Sequence, residues 1–593
     1  MYIAVVQNNP RLGALKENAE KILESIDSLA LSTYPPDLVI FPAYALTGTP
    51  AAGLQISDSF AAETLDAARL VIEKTSLPAL IGTMIPRPIP DELSFMCEPE
   101  VLFCKDGKGG ALGFVDLSNS WELDNYASSI ITTIDGTNIC ILLDEYPDID
   151  EDYSDTQAVV IMMAKEYEGT NTIFTASDQL SYLRDFASAN HVWVVLANLV
   201  GAQDISVFDG ASIVIKPDGS VACAAVPFEE GTITCNINLS KSNSKSADQS
   251  DATGKQTLSN KAKYHDECLV RPLLPYEADW KALELFVRDY VHKNGFSDVV
   301  LGISGGLDSA VVATIACDAL GAEHVHGILM PGPFSSKGSI DDSRALALNL
   351  GIQTLTIPID AALEAFRRTT QEVIGQEGSF LAQQNIQNRI RMVYLMQLSN
   401  SFGWLLLCTG NKSEKAMGYS TLYGDTAGAL APLGNIYKTD VYGLANWRNE
   451  QSLVIPEVIL TKPPSAELYE GQIDEDSLPP YALLDHILRL HIEEGLGVDQ
   501  ILEYATRSLE GEKLSSDLIE QVLDSVKLAE FKRRQAPPSP ALGYVDMCQD
   551  RDWPITNGFR DHFRILPSRT HPKDFLRMMD SWQQPGGWDF LAN

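Results

Sequence analysis

The sequence predicts an α/β protein of 593 residues that a polar segment divides into two domains. In both halves, short apolar segments alternate with amphipathic helical patterns, an order typical of sheets covered by helices. Between the halves, residues 240–263 are rich in Ser, Lys and Asp and lack apolar periodicity, which indicates a linker. We therefore expect a first domain at 1–239, a linker at 240–269 and a second domain at 270–593.

The first half contains seven apolar segments with the length of buried strands. They are YIAVVQ (2–7), DLVIF (37–41), ALIGTMI (79–85), ICILL (139–143), AVVIMM (158–163), VWVVLAN (192–198) and SIVI (212–215). Helical patterns at 15–31 and 63–75 lie between some of these strands. This alternation predicts layers of sheet and helix.

The second half begins with an amphipathic helix predicted over 280–295 and ended by Gly295. The segment DVVLGI then enters a Gly-rich turn and a helix through Ala319, followed by the strand VHGILM, a helix near 339–350 and the strand QTLTIPI. Repeated strand–helix order predicts a doubly wound parallel sheet. From about residue 480 the pattern is mainly helical.

Composition and charge exclude several classes of protein. The formal net charge is −36, so phosphate repulsion argues against nucleic-acid binding, and solubility alone accounts for the charge. No apolar run approaches the roughly 18 residues of a membrane span, and the first residues lack the pattern of a signal peptide. The nine cysteines are scattered without a CxxC pair, which suits the reducing cytoplasm.

The most informative segment is VVLGISGGLDSAVVATIACDALG, residues 299–321, in which a strand runs through SGGLDS into a helix. Gly305 and Gly306 allow a ligand to approach the backbone, and the free N–H groups of a helix start favour an anion. Two hydroxyls add donors for phosphate oxygens, and Asp308 is suited to Mg²⁺. The alternative is an ordinary Gly-rich strand–helix turn.

The segments that follow decide between these readings. They are QQNIQNRIRM (383–392), LCTGNKSEKAMGYSTLYGDTAGALAPLGNIYKTDVY (407–442), PPSAEL (463–468), QIDEDSLPPYALLD (472–485) and EFKRRQAPPSP (530–540). With SGGLDS, they resemble NAD⁺ synthetases of the ATP pyrophosphatase superfamily, whose fold is Rossmann-like. The resemblance covers nearly all of residues 270–570 and points to the synthetase half of the two-domain, glutamine-dependent enzymes.

This resemblance implies an activity and a set of roles. The nicotinate carboxylate of deamido-NAD would attack the α-phosphate of ATP, and ammonia would displace AMP from the adenylate. The implied ligands are Ser304, Gly305, Gly306, Asp308, Ser309, Arg389, Thr409 and Lys438 for ATP, Asp308 and Glu414 for Mg²⁺, and Asn385, Asp425 and Lys532 for deamido-NAD. Charge neutralisation on the phosphates makes Asp308, Glu414 and Lys438 the expected catalytic residues.

Individual assignments have simpler alternatives, and two positions depart from the family. Lys438 could be a solvated helix residue, and Asp425 could cap a turn. Gln384 stands where the family has Glu, which is expected to alter a contact near deamido-NAD. Asp552 replaces an Arg, which is expected to alter a subunit or linker contact.

The first half resembles the nitrilase-like amidase module, an α-β-β-α sandwich that releases ammonia from glutamine in those enzymes. The resemblance rests on DLVIFPAYALTGTP (37–50), LVGAQDISVFDGASIVIKPDGSV (199–221) and AVPFEEG (225–231). Such modules use a Glu–Lys–Cys triad, in which Glu is the base, Lys stabilises charge and Cys attacks the amide. The corresponding positions here are Ala43, Phe114 and Asp144, so we expect no glutaminase activity.

The nearest thiol does not replace the missing nucleophile in this interpretation. Cys140 lies four residues before Asp144 and inside an apolar strand, where a cysteine is usually inert. Losing a nucleophile alone typically costs roughly 10⁶-fold in rate. The segment 175–184 also keeps Ser177 but lacks the Pro and Lys expected of a glutamine pocket.

Three hypotheses follow. The first is an ATP- and Mg²⁺-dependent NAD⁺ synthetase that uses free ammonia, with the first domain kept as a scaffold and as an interface of a homo-oligomer. In the second, the first domain binds a metabolite or a separate ammonia-supplying protein. In the third, Asp144 or Glu145 supports an unusual glutamine hydrolysis. If Asp144 lies in a closed remnant of the pocket, burial should raise its pKa unless hydrogen-bond donors compensate.

Overall fold

The structure is a computed structural model. It describes residues 1–88, 95–113, 129–134, 136–148, 151–169, 178–238, 271–376, 378–508, 514–543, 545–547 and 550–556. The predicted linker, Phe114 and Ser177 lie outside these residues.

The first domain contains fourteen described strands and three described helices. The strands are β1 (Tyr2–Gln7), β2 (Leu38–Ile40), β3 (Ala79–Pro88), β4 (Phe95–Lys105), β5 (Lys108–Ala111), β6 (Ser129–Ile134), β7 (Thr137–Leu143), β8 (Ala158–Met163), β9 (Trp193–Asn198), β10 (Val200–Gln203), β11 (Ser206–Asp209), β12 (Ile213–Ile215), β13 (Val221–Ala224) and β14 (Gly231–Asn236). The helices are α1 (Leu15–Ala30), α2 (Asp58–Lys74) and α3 (Asp178–Asn190).

Two six-stranded sheets form the centre of this domain. Their strand orders are β14-β1-β2-β3-β4-β5 and β13-β12-β9-β8-β7-β6, and β10 and β11 form a separate hairpin. The inner faces share one core, in which Val5 and Ile40 of the first sheet lie with Ile141 and Val195 of the second. Helices α1 and α2 cover the first sheet and α3 covers the second. The predicted α-β-β-α sandwich is therefore confirmed.

The apolar segments form strands for the reason anticipated from their composition. Every residue of β8 is buried, because this strand lies inside its sheet and is covered on both faces. The helix predicted at 63–75 begins earlier, at Asp58, because the Ser57 side chain accepts a hydrogen bond from Phe60 N and caps the first turn.

The second domain contains four described strands and twelve described helices. The strands are β15 (Val299–Gly302), β16 (Val325–Leu329), β17 (Gln353–Thr356) and β18 (Leu405–Leu406). The helices are α4 (Pro275–Lys293), α5 (Leu307–Leu320), α6 (Lys337–Leu350), α7 (Asp360–Ile374), α8 (Phe380–Phe402), α9 (Lys412–Met417), α10 (Lys438–Gln451), α11 (Glu457–Thr461), α12 (Tyr481–Ile492), α13 (Val498–Ser508), α14 (Ser516–Leu528) and α15 (Glu530–Arg533).

The strands of this domain form one parallel sheet in the order β17-β16-β15-β18. This order confirms the predicted doubly wound sheet. Helix α4 starts five residues before the predicted position, because Pro275 is preorganised for the first turn and the Glu277 carboxylate accepts from Leu274 N. Helices α12, α13 and α14 pack around a separate apolar cluster, which matches the helical pattern predicted after residue 480.

The two domains share a hydrophobic core where the β10–β11 hairpin packs on α4. Val200 and Val207 of the hairpin lie in one cluster with Phe286 of α4. Beside them, the Lys293 ammonium donates to Ala202 O at 2.8 Å, and the Asp289 carboxylate accepts from Ala202 N at 2.8 Å. This joint ties the first domain directly to the second.

Candidate functional site

The Gly-rich turn follows the carboxyl end of β15 and leads directly into α5. Gly305 has a φ of +78°, and a Cβ there would lie 2.3 Å from Ser339 O, so the turn requires glycine. The Ser304 and Ser309 hydroxyls lie 3.0 Å apart, and Ser304 Oγ accepts from Gly306 N at 3.2 Å. The turn therefore presents two oriented hydroxyls beside the start of a 14-residue helix, an arrangement suited to anions.

The turn forms one wall of a cavity of about 520 Å³, which is within the range of small-molecule sites. Nine of the residues predicted from the sequence line it: Ser304, Gly306, Asp308, Ser309, Thr409, Glu414, Asp425, Lys438 and Lys532. Gly305 shapes the turn without lining the cavity. Segments more than 200 residues apart thus converge on one site.

The remaining two predicted residues lie on α8 and contact a neighbouring loop. Asn385 Oδ1 accepts a hydrogen bond from Thr421 Oγ1 at 2.9 Å, and Arg389 Nε donates to Leu422 O at 3.2 Å. These side chains brace the loop that carries Asp425. Their predicted contacts with deamido-NAD and ATP stay predictions.

Asp308, Lys438 and Glu414 form the charged centre of the site. The Lys438 ammonium is paired with one oxygen of Asp308, and Asn411 Nδ2 donates to the other at 3.0 Å. Lys438 is only 2% exposed, so it is not a solvated helix residue. Burial alone would lower the pKa of Lys438, but the carboxylates of Asp308 and Glu414 raise it above the ordinary value.

Glu414 is partly buried, lines the cavity and lies near Asp308, so that desolvation by the protein and the charge of Asp308 both oppose its ionisation. Burial, followed by the charge of Asp308, raises the pKa of Glu414 to about 8. The carboxylate also closes a capping box on α9, because it accepts from Asn411 N at 3.4 Å while Asn411 Oδ1 accepts from Glu414 N at 3.0 Å. A cation at this position would relieve the repulsion between the two carboxylates.

These oxygen donors fit Mg²⁺. Two carboxylates face a cavity suited to a phosphate ligand, and magnesium sites commonly use one or two carboxylates completed by phosphate and water. Within the described parts of the chain, no group of three or more His, Cys, Asp or Glu is arranged to hold a metal ion. Asp308 and Glu414 would therefore hold the ion only together with a phosphate-bearing ligand.

Asp425 and Lys532 line the same cavity. The carboxylate of Asp425 accepts from Thr421 N at 2.6 Å and from Asn388 Nδ2 at 2.8 Å, and burial raises its pKa to about 6. Asp425 therefore caps a turn and also lines the cavity. Lys532 Nζ donates to Gly418 O at 2.6 Å, and burial lowers its pKa against the attraction of Asp425.

Several charged groups that line the cavity were not predicted from the sequence, and Arg391 and Asp474 are two of them. Arg391 donates to Met330 O at 3.2 Å and to Asn388 Oδ1 at 3.1 Å, so both partners are uncharged and the buried guanidinium can serve an anion. Asp474 accepts from the Tyr481 hydroxyl at 2.9 Å. Both residues lie in segments quoted for the resemblance, but their side-chain positions depend on packing between distant helices.

Neither of the two residues that depart from the family, Gln384 and Asp552, lines the cavity. Asp552 pairs with Arg534, which also pairs with Glu530 at 2.8 Å. Asp552 thus takes part in an ionic contact within the chain. Gln384 lies on α8 next to Asn385.

In the first domain, Asp144 follows β7 at the position expected of the nucleophile. Its φ is +56°, its N–H donates to Met162 O at 2.9 Å, and Oδ1 accepts from Ala164 N at 2.9 Å. The Tyr44 hydroxyl also hydrogen-bonds to the carboxylate. Asp144 is an exposed residue, and desolvation by the surrounding protein raises the pKa of its carboxyl group against these hydrogen bonds.

Ala43 directly precedes Tyr44, whose hydroxyl hydrogen-bonds to the Asp144 carboxylate. It is completely buried after β2, and a Cβ on Gly82 would lie 2.5 Å from its Cα. The methyl side chain of Ala43 cannot accept a proton, so this position offers no base. Ala43 thus supplies no base, and Asp144 supplies no thiol, at the positions where the sequence predicts the triad.

Cys140 lies inside β7 and is 2% exposed. Burial is the main cause that raises the pKa of its thiol, to about 11. A thiol with this pKa is almost entirely protonated at neutral pH and is a poor nucleophile. The prediction that Cys140 belongs to the core is confirmed.

Among the described residues of the first domain, a cavity of about 10 Å³ lies beside Asp209 and Asn198, with room for about one water molecule. Neither Ala43 nor Asp144 lines it. Lys165 does line it, with its N–H donating to Asn198 Oδ1 at 2.9 Å and its ammonium 3.7 Å from Glu168. Lys165 was not predicted from the sequence as a residue of this domain's pocket.

Comparison with known families identifies both domains. The NAD synthase family signature matches residues 279–536, and the carbon-nitrogen hydrolase signature matches residues 158–245. The second match begins after the positions of Ala43, Phe114 and Asp144. The chain is thus a fusion of a nitrilase-like domain with an NAD synthase domain.

Full-length relatives define the family more closely. The glutamine-dependent NAD(+) synthetase of Aquifex aeolicus is 35% identical over 94% of this chain and 100% of its own length. That of Thermotoga maritima is 34% identical over 95% and 99% of the two chains. The chain belongs to the glutamine-dependent NAD(+) synthetase family, and it is an NAD synthetase and a ligase.

Solved structures agree with this family. A glutamine-dependent NAD+ synthetase from Acinetobacter baumannii, in complex with ADP, has a TM-score of 0.63 at 27% identity and covers 95% of this chain and 99% of its own. One from Cytophaga hutchinsonii has a TM-score of 0.73 at 17% identity, covering 98% and 100%, which shows the fold alone. Among the described residues, no helix is long and apolar enough to cross a membrane.

Proposed function

We propose that this protein makes NAD⁺ from deamido-NAD, ATP and free ammonia, and that its nitrilase-like domain does not hydrolyse glutamine. The observation that carries this proposal is Asp144 at the tip of β7, where the amidase reaction needs a thiolate. Ala43, which has no proton-accepting group, supports the same conclusion. The domain is then retained for its structural role.

The synthetase chemistry uses the cavity of the second domain. The turn from Ser304 to Ser309 would hold the phosphates of ATP through its hydroxyls and the start of α5. Asp308 and Glu414 would hold Mg²⁺, which neutralises charge on the phosphates when bound. Lys438, kept protonated by its carboxylate neighbours, would stabilise negative charge as pyrophosphate leaves.

Asp425 and Lys532, which line the same cavity, are proposed to bind deamido-NAD. Lys532 already makes two hydrogen bonds to backbone carbonyls, which hold its ammonium in place. Its positive charge would attract the nicotinate carboxylate or a phosphate of the substrate. The two buried backbone contacts favour a fixed rather than a mobile lysine.

Hydrolysis of glutamine by other groups is disfavoured by the same observations. A carboxylate is a poor nucleophile toward an amide, and the raised pKa of Asp144 reduces its ionised fraction further. The reaction also needs the charge of the triad Lys, and Phe114 stands at that position.

The scaffold role is supported by the joint between the domains. The β10–β11 hairpin completes a hydrophobic core that includes α4 of the synthetase domain. The hydrogen bonds of Asp289 and Lys293 to Ala202 lie beside that core. Removal of the first domain would expose the apolar face of α4, so its loss is expected to destabilise the second domain.

We also propose that the protein assembles with further copies of itself. Helix α8 is 23 residues long, but its buried residues are only Gln387 and Ile390. The exposed apolar side chains of α7 and α8 are Phe366, Val373, Ile374, Phe380, Leu381, Val393 and Phe402. Apolar surfaces of this kind commonly mark interfaces, and light scattering would distinguish a homo-oligomer from a complex with an ammonia-supplying protein.

The proposed location is a reducing compartment such as the cytoplasm. Cys97, Cys104, Cys140 and Cys408 are buried free thiols, as expected where disulfides do not form.

An assay with the purified full chain tests the function. ATP, Mg²⁺ and deamido-NAD are supplied with either ammonium or glutamine, and NAD⁺, AMP and glutamate are measured separately. We expect NAD⁺ with ammonium and no glutamate release from glutamine. Glutamate formation that depends on the protein would refute the loss of glutaminase activity.

A further inference from the structure

Helix α12 packs against α9 and α10, the two helices that carry Glu414 and Lys438. Asp485 of α12 is 1% exposed. Its Oδ1 accepts from the Ser413 hydroxyl at 2.5 Å, and its Oδ2 accepts from Thr439 N at 2.8 Å. Ser413 directly precedes Glu414 on α9, and Thr439 directly follows Lys438 on α10.

Ser413 links the two helices a second time. While its hydroxyl donates to Asp485, its oxygen accepts from Lys438 N at 2.9 Å. The groups therefore form one continuous path from Asp485 through Ser413 to the backbone of Lys438. This path therefore ends on the backbone of Lys438 and passes through Ser413, the residue next to Glu414.

Helix α10 depends on these contacts because it lacks a cap of its own. Its N-cap residue, Tyr437, supplies no side-chain hydrogen bond. The first backbone N–H groups of a helix need partners, and a carboxylate at this end is favoured by the helix dipole. Ser413 and Asp485 supply those partners from two other helices, so they fix where α10 begins.

Further contacts of α12 reinforce the same arrangement. The Tyr481 hydroxyl donates to Asp474 in the cavity at 2.9 Å. Lys412 of α9 pairs at 2.7 Å with Glu493, the residue that ends α12, and Arg489 pairs with Asp440 of α10. These contacts hold α12 against α9 and α10, while Asp485 alone bonds to the residues next to both Glu414 and Lys438.

We propose that Asp485 is a positioning residue of the synthetase reaction, which sets the distance between Glu414 and Lys438 by capping α10 and orienting Ser413. This inference rests on the proposed function, because it assigns Asp485 to the same site. Asp485 does not line the cavity and is not expected to touch substrate. Its loss should therefore affect turnover more than substrate binding.

The substitution Asp485→Asn tests this role. An Asn side chain has one acceptor oxygen where Asp has two, so its amide N–H would face either Ser413 or the N–H of Thr439. We expect kcat with ammonium to fall by about 10- to 100-fold, the range found for groups that orient metal ligands. KM for ATP and for deamido-NAD should stay within about threefold, and the Mg²⁺ concentration for half-maximal rate should rise.

A second variant and a matched control separate positioning from folding. Ser413→Ala breaks the same path from the other side, and in the double variant the two losses should be less than additive. Asp289→Asn is the control, because Asp289 is also buried, accepts hydrogen bonds from Ala202 N and Asn9 Nδ2, and also pairs at 3.4 Å with Arg288 and Lys293 outside the cavity. The control should lower Tm to a comparable extent with kcat unchanged.

Three results would overturn the assignment. One is an Asp485→Asn variant that loses thermal stability but keeps kcat and its Mg²⁺ requirement. Another is strict additivity of Ser413→Ala and Asp485→Asn. The last is an unmodified protein without activity on ammonium, which would refute the proposed function itself; measuring that parent rate first distinguishes the two failures.

Discussion

Asp209 is a buried carboxyl group that lines the small cavity of the first domain, and replacing it with Asn should stabilise the protein at neutral pH. Burial raises its pKa from 3.8 to about 7, against the opposing effects of Lys165 and of the hydrogen bond from Asn198 Nδ2 at 3.1 Å. Since the folded state binds its proton more tightly than the unfolded state, this group makes unfolding easier as pH rises from 4 to 7.

The size of the effect follows from the difference in pKa. Each pKa unit corresponds to about 1.4 kcal/mol, so the cost of burying Asp209 is about 4 kcal/mol above pH 7. At pH 5 the cost is only about 1–2 kcal/mol, because the folded state keeps the proton. An Asn side chain has no charge to bury, and its amide oxygen can still accept from Asn198.

The assay is thermal and urea unfolding of the full chain and of Asp209→Asn at pH 5 and pH 8, following the transition of the first domain. The variant should be more stable at both values, with the larger gain at pH 8. Asp185→Asn is the control, since Asp185 is exposed on α3 and should change stability by less than about 0.5 kcal/mol. An equal gain at both pH values, or none, would mean that the pocket around Asp209 is open to water.

Three further predictions concern the synthetase site and the triad positions of the nitrilase-like domain. Asp308→Asn should lower kcat with ammonium by at least about 100-fold, because it removes one expected Mg²⁺ ligand and the partner of the buried Lys438, and steady-state kinetics with saturating Mg²⁺ would check this. Cys140→Ala should leave ammonium-dependent synthesis unchanged, and the Cys140 thiol should react with a thiol reagent only after unfolding. Introducing Ala43→Glu and Asp144→Cys together should not produce glutamate from glutamine, because Phe114 still stands at the Lys position and a phenyl ring cannot stabilise the developing charge; measurable glutamate would contradict the need for all three groups.

Much of the fold could be predicted from the sequence because its signals are local. Continuous apolar runs such as β8 marked buried strands, and SGGLDS marked the turn between β15 and α5. Element starts were less accurate where a cap decides them. Ser57 begins α2 and Pro275 begins α4, and both lie outside the apolar pattern on which the prediction relied.

The candidate site was predictable where a motif carries the chemistry and not where packing does. Asp308 and Glu414 lie in recognisable segments and meet in the cavity as expected. Asp485 is different, because its partners Ser413 and Thr439 are 72 and 46 residues away along the chain. No pattern in the sequence indicates that these three residues touch.

The most direct test of the whole account is the nitrogen donor. Purified protein with ATP, Mg²⁺ and deamido-NAD is given either ammonium or ¹⁵N-amide-labelled glutamine in buffer scrubbed of ammonia, and the label in NAD⁺ is measured by mass spectrometry. The account predicts NAD⁺ with ammonium and no labelled NAD⁺ with glutamine. Labelled NAD⁺ from glutamine would contradict it, because a domain with Asp144 and Ala43 at the triad positions would then still release ammonia.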